Sequence, residues 1–149
     1  MLSSLVRKIL GKRFFRLAVV YRSLFVDLDC VASSISPFIP DGAIVIDIGG
    51  GDGAPLNHIF RLRNDICVRM IDIAGNIGGA VMPEFASRLQ IFAHTPISGF
   101  RLTKTKRPVV VLLSDVIHHI PLTSRPSFFK DLKNMVKESE NLTIIIKDV

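Results

Sequence analysis

The chain has 149 residues, of which 48% are hydrophobic and 21% charged, a balance that excludes a disordered chain and fits one folded domain. Its two cysteines, Cys30 and Cys67, form no CxxC pair, so the sequence indicates neither a zinc cage nor a disulfide framework and favours a reduced, cytoplasmic protein. The net charge of +6 is carried by the segment before Asp27, the first acidic residue. The remainder is neutral overall, so no nucleic-acid partner is expected.

The N-terminal segment, residues 1–36, has its apolar residues spaced by three or four, which predicts helix from Leu2 to about Ile35. Basic residues interrupt every long apolar run, so neither a membrane span nor a signal peptide is expected. Two interpretations stay open. The segment is a helix that caps the sheet with a solvated basic face, or it is a basic amphipathic helix that rests on an anionic membrane surface or a partner and makes the protein membrane-peripheral.

Residues 43–149 alternate between short apolar runs and segments of helical spacing. A helix is predicted from about Pro55, and another is predicted after Thr123 or Ser124, either of which can cap it. The alternation predicts an α/β fold, a Rossmann-like and mostly parallel sheet with helices on both faces, in a single domain over residues 1–149. The predicted strands are Ala43–Ile48, Cys67–Asp72, Leu89–Ala93, Val109–Leu113 and Leu142–Ile146.

The most informative stretch is the glycine-rich turn Asp47–Gly53, which leads out of the first strand. Glycine allows positive φ and leaves bare backbone beside a ligand, and the amides at the helix start face that ligand. Asp72 ends the second strand, where a carboxylate can accept both hydroxyls of a ribose. The glycines also satisfy the looser dinucleotide fingerprint, so an NAD-dependent oxidoreductase is an alternative. Asp47 favours a cationic ligand instead, because its charge would be unfavourable beside a pyrophosphate.

With these residues the chain resembles the class I S-adenosylmethionine-dependent methyltransferases of small-molecule type. The turn Asp47–Gly53 resembles their motif I, and Asp72 matches the acid that ends their second strand. The run Ser114–Pro121 resembles the segment after their fourth strand, and Ile144–Asp148 resembles their fifth strand. The resemblance covers roughly Ala43 to Val149 and implies S-adenosylmethionine as the cofactor.

The same resemblance implies roles for individual residues. Gly49, Gly51 and Gly53 are expected to pack against the methionine moiety of the cofactor. Asp47 is expected to orient its amino group, and Asp72 is expected to hold its ribose.

The chain departs from the family beside the adenine. Ile73 is expected to cover one face of that ring. After the third strand, however, the family often places an acid near the adenine amino group, and this chain has His94 and Thr95 there. We expect His94 or Thr95 to take the place of the acid.

A second departure concerns the sheet. The family sheet has seven strands, whereas this chain has five predicted strands. The fifth would then be an uncovered apolar edge, which favours association. We therefore expect either a domain that is incomplete at its C-terminus or a homodimer that covers this edge.

Three polar residues, Asp115, His118 and His119, follow the fourth strand at the edge of the sheet where ligands bind. Asp115 is expected in the cofactor site. His118 or His119 is the candidate base for a hydroxyl acceptor, because histidine titrates near neutral pH; the alternative is that one packs and the other only forms hydrogen bonds. No clear third ligand set accompanies them, so no metal site is expected.

The leading hypothesis is thus a methyltransferase acting on a small-molecule acceptor whose identity the sequence does not specify. The alternatives are the NAD-dependent oxidoreductase and a non-catalytic methyltransferase-like module that docks through its basic N-terminal helix.

Overall fold

This computed structural model describes residues 27–148, which form three helices and five strands. The helices there are α1 (Leu28–Ile35), α2 (Ala54–Leu62) and α3 (Arg125–Met135). The strands are β1 (Ile44–Ile48), β2 (Cys67–Ile71), β3 (Leu89–Phe92), β4 (Val109–Ser114) and β5 (Leu142–Lys147). Helices precede β1, β2 and β5, whereas only short 3-10 turns separate β2 from β3 and β3 from β4. Each predicted strand is present, and its ends differ from the predicted ones by one residue at most.

The strands form one sheet in the order β3-β2-β1-β4-β5, and every neighbouring pair is parallel. The chain moves outward in one direction from β1 to β2 and in the other from β4 to β5. Since crossovers between parallel strands are right-handed, α2 and α3 cover opposite faces of the sheet. The predicted Rossmann-like fold is therefore confirmed.

The central strands read as continuous apolar runs because both of their faces are covered. All five residues of β1 are buried, and so are the first five of β4. Alternate residues of these strands belong to the core that includes α3. Its members are Ile46, Ile48, Ile71, Phe100, Leu102, Val109, Val111, Leu113, Leu132, Met135 and Val136. The intervening residues point to the other face, where the buried residues of α2 are Leu56, Asn57, Ile59 and Phe60.

A half-buried arginine, Arg63, anchors the turn that precedes β1. Arg63 donates hydrogen bonds to the carbonyl oxygens of Ser36 and Pro40 at 3.2 and 3.1 Å, and also to that of Ile39. Its guanidinium pairs with Asp65, whose Oδ2 accepts the N–H of Gly42 at 2.7 Å. The Arg63 hydrogen bond, followed by the Gly42 amide, lowers the pKa of Asp65. The network joins the end of α2 to the entrance of β1.

One local expectation, the side-chain cap of α3, is wrong. Ser124 stands at the N-cap of α3, yet its side chain makes no capping hydrogen bond, since its backbone is already helical. Its carbonyl oxygen instead accepts a hydrogen bond from the Ser127 hydroxyl at 2.8 Å.

The outer strand β5 carries an apolar face that is half exposed. Leu142, Ile144 and Ile146 lie in register with Val109, Val111 and Leu113 of β4 and so belong to the same face of the sheet as α3. Their exposed fractions are 40%, 46% and 50%. The exposed edge strand matches the expectation from the sequence, and the homodimer inferred from it stays a prediction.

The chain divides into two compact units, Met1–Val31 and Ala32–Val149. Most of the basic amphipathic segment lies outside the described residues, which confirm helix only for its end, Leu28–Ile35. Across residues 27–148 no helix combines the length and the apolarity that crossing a membrane requires.

Candidate functional site

The turn after β1 brings backbone to the carboxyl edge of the sheet. Gly49 takes φ +70°, and its N–H donates to the carbonyl oxygen of Ile71 at 2.8 Å, which ties the end of β1 to the end of β2. A Cβ on Gly49 would lie 2.9 Å from a methyl carbon of Val116, in the segment after β4. Glycine thus gives both the left-handed turn and the close approach of the two loops.

The other two predicted glycines differ in their surroundings. Gly53 has φ +77°, and a Cβ there would lie 2.5 Å from Val81, so this glycine is required by packing. Gly51 has φ +56° and open space where its Cβ would be. Its N–H points to Asp72 Oδ2 at 3.4 Å, so the turn and the acid at the end of β2 meet. Asp52 supports the turn, because its Oδ1 accepts the N–H of Ala54 at the start of α2.

Asp47 is the buried acid behind this turn. It is 4% exposed, and its Oδ2 lies against the Gly50 backbone, where a Cβ would be only 2.0 Å away. Burial, with the neighbouring charge of Asp72 as the second cause, raises the pKa of Asp47 from 3.8 to about 7. A carboxylate with this pKa responds to any cation that binds at the turn.

The Asp72 carboxylate can accept further hydrogen bonds although two backbone N–H groups already point to it. Its Oδ1 accepts the N–H of Ala74 at 2.9 Å, and its Oδ2 lies near the N–H of Gly51. An ionised carboxylate offers about four lone-pair sites, so acceptor positions remain for the vicinal hydroxyls of a ribose. Ile73 follows and is 76% exposed, so its apolar side chain is accessible to a flat ring bound beside Asp72.

A cavity of about 520 Å³ opens at this edge of the sheet. Apolar side chains form most of its wall, and neither lysine nor arginine is among its described lining residues. Three carboxylates line it: Asp72 after β2, Asp115 after β4 and Asp131 on α3. The lining also includes Gly49, Ile73, Thr95, Ile97, His119, Ser124, Ser127 and Phe128.

The structure thus brings Gly49, Asp72, Ile73, Asp115 and His119 to one cavity, and their roles toward a cofactor or an acceptor stay predictions. It does not bring the remaining predicted residues to the wall. Asp47 lies behind the turn, and the residues without a place in the lining are Gly51, Gly53, His94 and His118.

The absence of His94 from the cavity has a local cause. Its backbone takes φ +52°, and its N–H donates to the carbonyl oxygen of Ala74 at 3.1 Å. The imidazole then lies over Gly75, where a Cβ would be 2.3 Å from the ring. Thr95 does line the cavity, but its hydroxyl donates to the carbonyl oxygen of Ala93 at 3.0 Å.

Asp115 has an unusual backbone and a cationic partner. Its φ of +58° lies in the left-handed region, which aspartate tolerates better than most residues. Lys147 at the end of β5 contacts both carboxylate oxygens, at 2.7 and 2.6 Å. The parallel register places Ser114 opposite Lys147, which brings the two charges together. Asp115 is therefore a compensated charge within the cavity wall.

The two histidines have different environments. His118 is held by Asp148, which accepts its backbone N–H at 2.9 Å and contacts its ring Nδ1. The His119 ring packs against that of His118 at 3.9 Å between centroids, with the two planes tilted by 49°, and it lines the cavity. Asp148 was not singled out from the sequence, because the pairing of β4 with β5 brings it to His118. The described residues include no group of three or more His, Cys, Asp or Glu that could hold a metal ion.

The strand order and the glycine turn belong to a fold that solved structures of three methyltransferases share. A TehB-like SAM-dependent methyltransferase from Corynebacterium glutamicum matches with a TM-score of 0.59 and 15% identity, over 95% of this chain and 72% of that one. The amino pentose methyltransferase CalS10 from Micromonospora echinaspora, with SAM bound, matches with a TM-score of 0.60 and 17% identity, over 89% of this chain and 56% of that one. An O-methyltransferase family 2 protein from Planctomyces limnophilus, in complex with apigenin, matches with a TM-score of 0.59 and 16% identity, over 90% of this chain and 42% of that one.

At these identities the likeness establishes the fold. The chain spans between 35% and 72% of the length of such structures. No protein-family model matches the chain, and no curated protein is significantly similar to it in sequence.

Proposed function

We propose that this chain binds S-adenosylmethionine and transfers its methyl group to a small-molecule acceptor. The observation that carries the proposal is the cavity at the carboxyl edge of β1, β2 and β4, which combines the Gly49 turn with three aspartates and has no lysine or arginine among its described lining residues. The structural neighbours support it, because one holds SAM and another holds apigenin, a small aromatic molecule.

The residues present fit this cofactor. Gly51 leaves open space in front of its backbone, Asp72 offers acceptors for the ribose hydroxyls, and Ile73 offers an apolar surface for the adenine. When bound, the cofactor supplies a methyl group activated by its sulfonium. The turn and Asp72 fix the position of that group, and such positioning accounts for much of the rate of an in-line displacement.

The charge of the site argues against the dinucleotide alternative. A pyrophosphate at the glycine turn would lie close to Asp72 and in front of the buried Asp47, and no basic side chain among the described lining residues would offset the repulsion. A ligand ammonium group carries a positive charge, which these aspartates attract instead of repelling. Ionised Asp47 would then stabilise it through the turn.

His119 is the histidine placed to accept a proton from an acceptor hydroxyl, because it lines the cavity. His118 would act as a positioning residue, since Asp148 fixes its ring and its ring packs on that of His119. This division of roles belongs to the proposal.

Titration calorimetry of the full 149-residue protein with S-adenosylhomocysteine, and separately with NADH, tests the proposal. We expect saturable binding of S-adenosylhomocysteine and none of NADH. Asp72→Asn should weaken binding about tenfold or more, because charge-assisted hydrogen bonds to the ribose become neutral ones. Glu84→Gln, which removes an exposed acid outside the cavity, should bind like the wild type.

The proposal is overturned if the wild-type protein is folded by circular dichroism and binds no S-adenosylhomocysteine. Binding of NADH in its place would support the oxidoreductase. If Asp72→Asn binds S-adenosylhomocysteine with the same affinity as the wild type and the Glu84→Gln control, the nucleoside does not lie at the end of β2.

A further inference from the structure

The inner stripe of α3 forms one wall of the cavity. Ser124, Ser127, Phe128 and Asp131 all line it, and their spacing of three, four and seven residues places them on one side of the helix. Phe128 supplies apolar surface to this wall. Asp131 adds a carboxylate three residues further along.

Asp131 differs from the other two carboxylates of the cavity. Asp115 is paired with Lys147, and Asp72 holds two backbone amides. Asp131 makes neither a hydrogen bond nor an ion pair with any residue between 27 and 148. It is a half-buried acceptor in a mostly apolar wall, so a ligand donor at that place gains a partner without breaking a hydrogen bond within the described part of the chain.

A nucleoside at this site carries such a donor. With its ribose at Asp72, its base extends into the rest of the cavity, between apolar residues that include Ile73, Ile97 and Phe128. The exocyclic amino group of adenine then requires an acceptor. The segment after β3 supplies no carboxylate for it, because His94 lies outside the cavity and Thr95 offers only a neutral hydroxyl, whose proton is donated to the Ala93 carbonyl oxygen.

We propose that Asp131 accepts a hydrogen bond from the exocyclic amino group of the adenine and so makes the site specific for adenosine-type ligands. This inference rests on the proposed function, since it needs a nucleoside in the cavity. It assigns to α3 a recognition role that the segment after β3 does not fill in this chain.

The test compares S-adenosylhomocysteine with its 6-deamino analogue, in which a hydrogen atom replaces the amino group. The analogue removes the donor without adding another. Wild-type protein should bind it about 10- to 100-fold more weakly, as expected for a charge-assisted hydrogen bond. In Asp131→Ala the ratio of the two dissociation constants should fall close to one, and Asp131→Asn, which keeps an acceptor oxygen, should restore part of it. Glu84→Gln, again as the charge control, should keep the wild-type ratio.

The outcomes separate this inference from the proposed function. If the wild-type protein binds both nucleosides equally well, or if Asp131→Ala keeps the wild-type ratio, Asp131 does not read the amino group although the cofactor site stands. If folded wild-type protein binds neither nucleoside, the proposed function fails and this inference fails with it. A loss of affinity for both ligands by the same factor in Asp131→Ala, with the ratio unchanged, would show a general effect on the helix and also overturn the inference.

Discussion

Replacing Asp47 by asparagine should stabilise the ligand-free protein at neutral and alkaline pH. Asparagine has nearly the shape of aspartate but carries no charge. Burial and the charge of Asp72 raise the pKa of Asp47 to about 7 in the folded chain, whereas its value in an unfolded chain is 3.8. The ionised form of this side chain is therefore disfavoured by folding, and the variant removes that cost.

The sign and size follow from linkage. Between pH 3.8 and about 7 the folded wild-type protein keeps a proton that the unfolded chain has lost, so its stability falls as the pH rises and becomes constant above about 7. Each pH unit costs about 1.4 kcal/mol, so the cost reaches about 4 kcal/mol at pH 8. Asp47→Asn should match the wild type near pH 4 and exceed it by roughly this amount at pH 8, or by roughly 10 °C in Tm.

Thermal and urea unfolding of both proteins at intervals from pH 4 to pH 8 measures the difference. Other titrating groups, such as the histidines, contribute equally to both proteins and cancel. Glu84→Gln serves as the control for removal of an exposed acid and should give a flat difference. If the difference between Asp47→Asn and wild type does not grow with pH, Asp47 is not a destabilised buried acid and the electrostatic account of the turn is wrong.

Three further changes test other parts of the structure. Gly53→Ala should lower the free energy of unfolding by roughly 2–4 kcal/mol in urea titrations, because φ is +77° and the new Cβ would meet Val81; a loss below about 1 kcal/mol would contradict the packing described. Arg63→Met should cost a similar amount, since it leaves several carbonyl oxygens before β1 without their donor, and unchanged stability would contradict this anchoring role. If β5 forms a homodimer, Ile144→Lys should convert the dimer into a monomer in sedimentation velocity; a monomeric wild type would refute the dimer.

The sheet could be predicted from the sequence because strands that are covered on both faces have a recognisable residue pattern. A run such as Val109–Leu113 is apolar at every position, which in a parallel sheet means burial on both sides. The turn Asp47–Gly53 could be predicted for a different reason: Gly49, Gly51 and Gly53 take positive φ values, which glycine adopts without the steric cost that most other residues incur.

The far wall of the cavity could not be predicted. Ser127 and Asp131 are polar residues at helical spacing, and in the sequence alone such residues look like the solvated face of a helix. Only the packing of α3 on the sheet shows that they line the cavity with Phe128. The pairs Asp115–Lys147 and His118–Asp148 depend in the same way on the register of β4 with β5, which the two strand sequences do not specify.

The side-chain position of His94 also could not be predicted from the sequence. Its position after β3 favoured a contact with the adenine, and the order of strands that this required is the observed one. At φ +52° the side chain of His94 lies over Gly75 and is not part of the cavity lining, so its contact with the adenine stays a prediction. A pattern of residue types predicts which loops meet at a site, whereas the torsion of one residue decides which side chains enter it.

The raised pKa of Asp47 connects the stability of the fold with ligand binding at the glycine turn. A buried carboxylate with a raised pKa weakens the ligand-free protein, and neutral asparagine would fit the same space, so stability alone gives no reason for an acid there. Under the proposed function a ligand ammonium at the glycine turn would supply the reason, because it would stabilise the ionised form that burial disfavours. Affinity for S-adenosylhomocysteine should therefore rise as the pH rises toward about 7 in the wild type and stay flat in Asp47→Asn. A wild-type affinity that does not change over this range would mean that Asp47 serves the turn alone.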